Sequence, residues 1–304
     1  MDQLRRTMLK GLGLIPIEVR SLDALALDAM EQRPIPATGE RLPLIGLGTY
    51  IAFDFPAEQA DDMAAAIDTV RGFLGAGARL IDSSPMYGLA EERVGDVLRR
   101  LRPDPAPFLV TKVWTRGQAA GEAQMERSLR LLGAGRIDLM QIHNLVDADT
   151  HLKTLQAWRG EGRVRYLGIT HYHAGAYAEV ERFLGRHRPD FLQINYSVLE
   201  PEAEHRLLPF CRDQGIAVIV NRPFAQGELF GKSKGRPLPP WVADLGCSSW
   251  AQVFLKWILG HPAVTCVIPA TRNPRHLADN LAAGSGPLPD ENLRRRIREA
   301  VTRG

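Results

Sequence analysis

Cysteine is scarce in this sequence, and long apolar runs are missing. The three cysteines among the 304 residues, Cys211, Cys247 and Cys266, are widely spaced and form no CxxC pair. This pattern argues against a disulfide framework and against a zinc site. No stretch approaches about 18 consecutive uncharged apolar residues, the length that a membrane-spanning helix needs. We therefore expect no membrane insertion and no bound metal.

A strong excess of either charge is also absent. The chain has 38 Lys and Arg residues against 35 Asp and Glu, a net charge of +3, and it is 45% hydrophobic. This balance is typical of a soluble globular protein and argues against nucleic acid as a partner. We interpret the basic run Arg294–Arg296, followed by Arg298, as the solvated face of a helix.

The first 32 residues are predicted to form a leader. Arg5 and Arg6 precede a short apolar segment, as in twin-arginine export signals. Charged residues from Glu18 onward interrupt that segment after about nine residues, near the lower limit for a signal. We expect residues 1–32 to stay on a cytoplasmic protein, with twin-arginine export to the periplasm as the alternative. Residues 33–304 are then one domain.

That domain repeats a short apolar strand followed by an amphipathic helix. It begins with Arg33–Pro36, a turn at Thr38-Gly39 and Arg41–Ile45, which predict a β-hairpin. Eight strand–helix units follow. Their strands are continuous apolar runs, which is typical of a parallel sheet buried on both faces. Eight such units most simply close into an α/β fold of the (β/α)8 TIM barrel type.

The boundaries of the predicted elements follow from these runs and their periodicity. The predicted strands are Leu44–Gly48, Leu80–Asp82, Phe108–Lys112, Asp138–His143, Tyr166–Ile169, Phe191–Asn195, Ala217–Val220 and Thr265–Ile268. The predicted helices are Ala57–Leu74, Glu91–Leu101, Glu122–Leu132, His151–Arg159, Tyr177–Arg186, Glu202–Gln214, Ser249–Leu259 and Arg275–Leu281. The longest irregular stretch, Gln226–Pro240, is predicted to be a loop over the barrel mouth.

Four ionisable residues lie at or just after the ends of three consecutive predicted strands, where barrels carry their catalytic groups. Asp82 ends the second strand and Tyr87 lies in the loop that follows it. Lys112 ends the third strand and His143 ends the fourth. Capping or packing explains each of these residues alone, but four together indicate an active site.

Such a set of residues suits the reduction of a carbonyl group. Tyrosine is a weak acid with a pKa of about 10. A lysine ammonium beside it lowers that pKa, and an aspartate keeps the lysine charged. The phenol of Tyr87 then becomes a proton donor, while the imidazole of His143 orients the carbonyl oxygen. Because side chains cannot deliver hydride, this chemistry implies a nicotinamide cofactor.

The sequence resembles the aldo-keto reductase family from about Arg41 to Asn280. The segments that carry the resemblance are Leu47–Tyr50, Ile81–Gly88, Thr111–Trp114, Asp138–His143, Leu167–Ile169, Leu192–Tyr196, Val267–Thr271 and Asp279–Asn280. The resemblance implies a barrel whose N-terminal hairpin closes the bottom, and NADPH-dependent reduction of a small aldehyde or ketone. It implies that Tyr87 is the general acid, that Lys112 and Asp82 tune it, and that His143 orients the substrate.

The resemblance also implies where the cofactor binds. Gln193 matches the family glutamine that binds the nicotinamide carboxamide, and Thr170 with His171 replaces the usual Ser-Asn pair. Asn221 stands where the family commonly has a tyrosine under the nicotinamide ring. Arg222 is then a candidate for the pyrophosphate.

The last strand supplies the remaining cofactor candidates. Ala270 replaces the common lysine, and Arg272 is our candidate for the 2′-phosphate because its rigid fork suits phosphate. Asn280 matches the adenine-contacting asparagine, and Thr49 and Thr271 complete the expected site. NADPH is expected as the cofactor, with NADH as the alternative.

Tyr50, Phe53 and Trp114 would line the substrate mouth with apolar surface, although core packing explains Phe53 equally well. We expect the protein to act as a monomer. One alternative is a nucleotide-binding sensor barrel with little turnover, which the replacements at Asn221 and His171 keep open. A more distant alternative is a metal-dependent barrel hydrolase that uses several histidines: His143, His171 and His173.

Overall fold

Eight parallel strands, hydrogen-bonded in the order of the chain, form the wall of a barrel. A computed structural model describes residues 30–303, so residues 1–29 of the predicted leader lie outside the described chain. The described strands are β1 (Gln32–Pro34), β2 (Arg41–Pro43), β3 (Leu47–Gly48), β4 (Leu80–Asp82), β5 (Phe108–Val113), β6 (Ile137–His143), β7 (Val164–Thr170), β8 (Phe191–Asn195), β9 (Ala217–Asn221) and β10 (Val264–Val267). Parallel bridges from Ile45 to Val267 and from Gly48 to Ala270 join the two ends of the sheet and close the barrel.

The hairpin β1–β2 closes the N-terminal end of the barrel. The two strands pair antiparallel, and the turn between them needs a left-handed residue, supplied by Gly39 at φ +77°. Ile35 and Leu42 are buried in the barrel interior with aromatic side chains from the wall: Phe108, Tyr166 and Phe191. The expected barrel and its hairpin plug are both confirmed.

The helices pack around the outside of the wall. They are α1 (Ala60–Gly75), α2 (Ala90–Leu101), α3 (Gln118–Leu132), α4 (Ala148–Gly160), α5 (Tyr177–Arg186), α6 (Leu207–Gln214), α7 (Glu228–Ser233), α8 (Trp250–Leu259), α9 (Pro274–Ala282) and α10 (Glu291–Thr302). Every residue of β5 is buried. Phe108 packs in the barrel interior with Ile35 and Leu42, whereas Leu109 packs in the outer core, which the strands and the surrounding helices form together. Burial on both faces explains why the strands are continuous apolar runs. Within residues 30–303, no helix is long and apolar enough to cross a membrane.

Apart from shifts of a few residues at the ends of elements, two predicted segments differ from the structure. The predicted helix Glu202–Gln214 is divided into a 3₁₀ turn over Glu202–His205 and helix α6, because Arg206 (φ −143°, ψ −51°) leaves helical geometry. The predicted loop Gln226–Pro240 contains the short helix α7. Neither difference changes the strand order.

The interpretation of the C-terminal basic run as a solvated face is wrong for Arg294. This residue is only 7% exposed, and its Nε donates a 3.0 Å hydrogen bond to the carbonyl of Trp257. Its Nη2 contacts both the hydroxyl of Tyr196 and the carboxylate of Glu204. Arg294 therefore attaches α10 to the barrel by hydrogen bonds and by an ion pair.

Candidate active site

The carboxyl ends of β4, β5 and β6 bring the four predicted catalytic residues together. Asp82 is the last residue of β4 and His143 the last of β6, while Lys112 lies next to the end of β5. Tyr87 lies in the loop between β4 and α2. Because parallel strands end at the same edge of the barrel, residues far apart in the sequence share one site.

Asp82 and Lys112 form a buried ion pair at the centre of this site. Lys112 Nζ lies 2.9 and 2.8 Å from the two carboxylate oxygens, and it also donates to the carbonyl of Ser83 at 2.8 Å. Burial by itself would lower the pKa of Lys112, but the charge of Asp82 and the contact with Tyr87 raise it overall. The ammonium is therefore charged at neutral pH.

Tyr87 lies against this ammonium. Lys112 Nζ is 4.9 Å from the centre of the phenol ring, and the His143 ring centre is 6.2 Å away on an edge-on approach. Burial raises the pKa of Tyr87, and the charge of Lys112 lowers it by less. The expected net lowering is therefore wrong for the resting protein, although Lys112 acts in the expected direction.

His143 is held as a neutral imidazole. Burial first, then the charge of Lys112, lowers its pKa to about 2. Its Nδ1 lies 3.2 Å from the hydroxyl of Ser84, a residue that the sequence reasoning did not select. The signal for Ser84 was its position two residues after Asp82 at a strand end.

Four predicted cofactor residues at or just after the ends of β7–β9 are linked by hydrogen bonds, including one of 3.4 Å from Asn221 Nδ2 to Gln193 Oε1. Thr170 Oγ1 donates to Gln193 Oε1 at 3.1 Å, and Gln193 Nε2 donates to Asp82 Oδ1 at 2.8 Å. Asn221 Nδ2 donates to the carbonyl of His171 at 2.9 Å. Gln193 thus connects the cofactor candidates to the ion pair.

Several polar atoms at this edge are buried without a partner among residues 30–303, and two of them belong to predicted cofactor residues. These two are Oδ1 of Asn221 and Nε of Arg222. Arg222 also donates from Nη1 to the carbonyl of Tyr172 at 2.6 Å. A buried acceptor and a buried cationic donor can each bind a ligand atom of opposite polarity.

Arg272 is already paired in this structure. Its Nη2 lies 2.8 Å from Asp62 Oδ1, and its Nη1 donates to the carbonyl of Ala52 at 2.9 Å. It therefore connects the loop after β10 to the loop after β3. A phosphate on Arg272 would compete with the carboxylate of Asp62.

The remaining cofactor candidates are buried or nearly so. Thr49 Oγ1 donates to the carbonyl of Asp82 at 2.9 Å. Thr271 Oγ1 accepts from the backbone N–H of Asn273 at 3.0 Å, and Asn280 is buried on α9. Thr49 therefore contacts β4, the strand that carries Asp82, whereas Thr271 stabilises the turn that precedes α9.

Two of the three predicted mouth residues are exposed beside the site. Tyr50 is 52% exposed and its ring centre is 5.0 Å from that of Tyr87. Trp114 is 42% exposed and 6.4 Å from His143. Phe53 is fully buried in the outer core, so of its two expected roles the structure supports core packing and not the mouth.

The histidines proposed for a metal do not assemble into a ligand set. The rings of His171 and His173 lie 4.6 Å apart, and burial lowers the pKa of His171 to about 4. Within the described part of the chain, no group of three or more His, Cys, Asp or Glu residues is arranged to hold a metal ion. The hydrolase alternative has no support in this geometry.

Known sequences and solved structures are similar to this chain. A sequence model of the aldo/keto reductase family matches residues 44–300. The chain belongs to the aldo/keto reductase family. It is an oxidoreductase of that family.

Relatives and solved structures resemble most of the chain. A methylglyoxal reductase of Escherichia coli, YeaE, is 28% identical over 261 residues, which cover 83% of this chain and 89% of the relative. An NADH-specific methylglyoxal reductase of the same organism is 27% identical, covering 90% and 100%. An aldo-keto reductase from Klebsiella pneumoniae, solved in complex with NADPH, superimposes with a TM-score of 0.73 at 25% identity, covering 90% and 96%.

Proposed function

We propose that this aldo/keto reductase reduces the carbonyl group of small aldehydes or ketones with NADPH, and that Tyr87 is its general acid. The observation that carries the proposal is the buried Lys112–Asp82 pair beside the phenol, with Lys112 Nζ 4.9 Å from the ring centre. Packing alone does not require an ammonium here, because an apolar side chain would fill the same space.

Tyr87 gives its proton to the carbonyl oxygen as that oxygen gains negative charge. Because burial raises the pKa of Tyr87, the phenol is protonated at neutral pH before reaction. The charge of Lys112 then stabilises the tyrosinate that forms, an interaction stronger in the transition state than in the ground state. Positioned acids of this kind contribute about 10²–10⁴-fold to rate.

His143 orients the substrate and does not transfer its proton. With its pKa lowered to about 2, the imidazole is neutral and can donate one hydrogen bond to the carbonyl oxygen. Tyr50 and Trp114 flank the site and offer apolar surface to the rest of the substrate. The methylglyoxal reductases among the relatives are consistent with a small carbonyl substrate.

The residues at the ends of β7–β10 fit a nicotinamide dinucleotide. The unpartnered Oδ1 of Asn221 suits an amide N–H, and the unpartnered Nε of Arg222 suits a pyrophosphate oxygen. Gln193 and Thr170, with His171, would hold the nicotinamide end, and Thr49, Thr271 and Asn280 would complete the site. When bound, NADPH supplies the hydride that no side chain can deliver.

Arg272 would bind the 2′-phosphate and make NADPH the preferred cofactor over NADH. Its guanidinium is a fork suited to phosphate, although it must exchange Asp62 for the ligand. Relatives of both kinds exist, since one neighbour was solved with NADPH and one relative is named NADH-specific. Since NADPH is regenerated inside cells, this activity belongs in the cytoplasm.

The test is Tyr87→Phe, with Tyr166→Phe as the matched control at the opposite end of the barrel. Cofactor binding is followed by nucleotide fluorescence, and turnover by loss of reduced-nicotinamide absorbance with a panel of aldehydes and ketones. Tyr87→Phe should bind NADPH normally and lose about 10²–10⁴-fold in kcat. Near-normal turnover would refute Tyr87 as the acid, and binding without turnover in the wild type would favour the sensor alternative.

A further inference from the structure

The hydroxyl of Ser84 lies next to His143 and has few other partners. Ser84 is completely buried, and its Oγ is 3.2 Å from His143 Nδ1. The backbone N–H of Met86 donates to the same oxygen at 3.3 Å. Among residues 30–303, these are the contacts that the hydroxyl makes.

The number of protons at these atoms determines the direction of the bond. Met86 N–H occupies one acceptor site of Ser84 Oγ, so the hydroxyl proton still needs an acceptor. The acceptor within reach is Nδ1 of His143. The reverse arrangement, with Nδ1–H donating to Ser84, would leave the buried hydroxyl proton unpaired, which is unfavourable.

The charge state of the ring agrees with this assignment. Burial and Lys112 lower the pKa of His143 to about 2, so only one ring nitrogen carries a proton at neutral pH. Within the described chain, no protein atom hydrogen-bonds to Nε2. A proton placed on Nε2 is therefore available to a ligand.

We propose that Ser84 is a positioning residue that fixes His143 in the tautomer protonated at Nε2. The hydroxyl of Ser84 donates to Nδ1, and Nε2–H is thereby kept as the donor for a substrate carbonyl oxygen. The tautomer is a property of the resting protein, whereas its effect on turnover rests on the proposed function.

Proton–nitrogen correlation NMR of histidine-labelled protein tests the tautomer directly. The chain has 8 histidines, and His143→Gln identifies the relevant signals by their loss. The wild type should show an unprotonated Nδ1 and a protonated Nε2. Ser84→Ala should give a mixture of tautomers. Ser83→Ala, which changes the neighbouring buried serine that accepts from Thr49, should leave the His143 signals unchanged.

A protonated Nδ1 in the wild type would overturn the proposal, even if a variant failed to fold. Ser84→Ala signals identical to those of the wild type would overturn it as well. Turnover gives an independent readout: Ser84→Ala should lower kcat about fivefold with little change in KM, and Ser84→Thr should restore most of it. A changed tautomer with unchanged kcat would leave the assignment intact and refute the substrate-orienting role of His143.

Discussion

Asp82→Asn would leave the ammonium of Lys112 buried without its counter-charge. Both carboxylate oxygens lie within 2.9 Å of Lys112 Nζ, and Lys112 is 0% exposed. Breaking a buried ion pair from one side costs about 3–5 kcal/mol. The amide oxygen of the variant and the carbonyl of Ser83 still accept from Nζ, so we expect a loss of about 3 kcal/mol in the free energy of unfolding.

The pH dependence of this loss has a definite sign. In the folded wild type the pKa of Lys112 is raised above its unfolded-state pKa of about 10.4. The ion pair therefore contributes its full stabilisation below about pH 10.4, and this contribution decreases as the pH rises through the folded-state pKa. Without Asp82, burial lowers the pKa of Lys112, and the variant gains stability as the ammonium loses its proton. The difference in the free energy of unfolding between wild type and variant should therefore become smaller at alkaline pH.

Urea unfolding followed by tryptophan fluorescence measures the effect, and Lys112→Met completes a double-mutant cycle. The double variant buries no charge at this position and should be more stable than Asp82→Asn alone. The reasoning fails if Asp82→Asn is within about 1 kcal/mol of the wild type. It also fails if the double variant loses the sum of the two single losses.

Three further outcomes follow from particular contacts. Arg272→Ala should weaken NADPH binding about tenfold or more and change NADH binding little. Asp62→Asn, which removes the carboxylate that competes for Arg272, should strengthen NADPH binding. Equal effects of Arg272→Ala on both nucleotides would show that Arg272 does not bind the 2′-phosphate. With a pKa of about 2, His143 should add no ionisation to the pH profile of kcat between about pH 5 and 8. The contribution of neutral His143 to the free energy of unfolding should decrease as the pH is lowered from about 6.5. An ionisation in the kcat profile that disappears in His143→Gln would contradict this. Arg294→Met should lower the free energy of unfolding by about 2 kcal/mol in a urea titration, with the exposed Arg298→Met as control, and similar losses in both would refute the anchoring role.

The barrel and the position of its site were predictable because both depend on short-range patterns. Continuous apolar runs indicate strands buried on both faces, and their carboxyl ends select the residues that face the mouth. Asp82, Lys112 and His143 satisfied that rule, and the structure places them at one edge.

Burial of single side chains was less predictable. Phe53 lies only three residues after Tyr50, yet the first packs in the outer core and the second is exposed. Arg294 looks like a solvated cation in sequence, and its acceptors lie 37 and 90 residues away. These partners depend on how α10 packs against the barrel, and the spacing of residues within α10 does not predict that packing.

The acidity of Tyr87 shows the same limit at the centre of the site. The lysine that lowers its pKa is visible in the sequence, but the larger opposing effect is burial. That burial arises where the loop after β4 meets its neighbours, including Tyr50 from the loop after β3. A protonated phenol beside a charged ammonium is nevertheless what a general acid requires, since the proton must be present before reaction and its loss stabilised during it. Burial and Lys112 oppose each other in the pKa of Tyr87, but in the proposed reaction they act in succession.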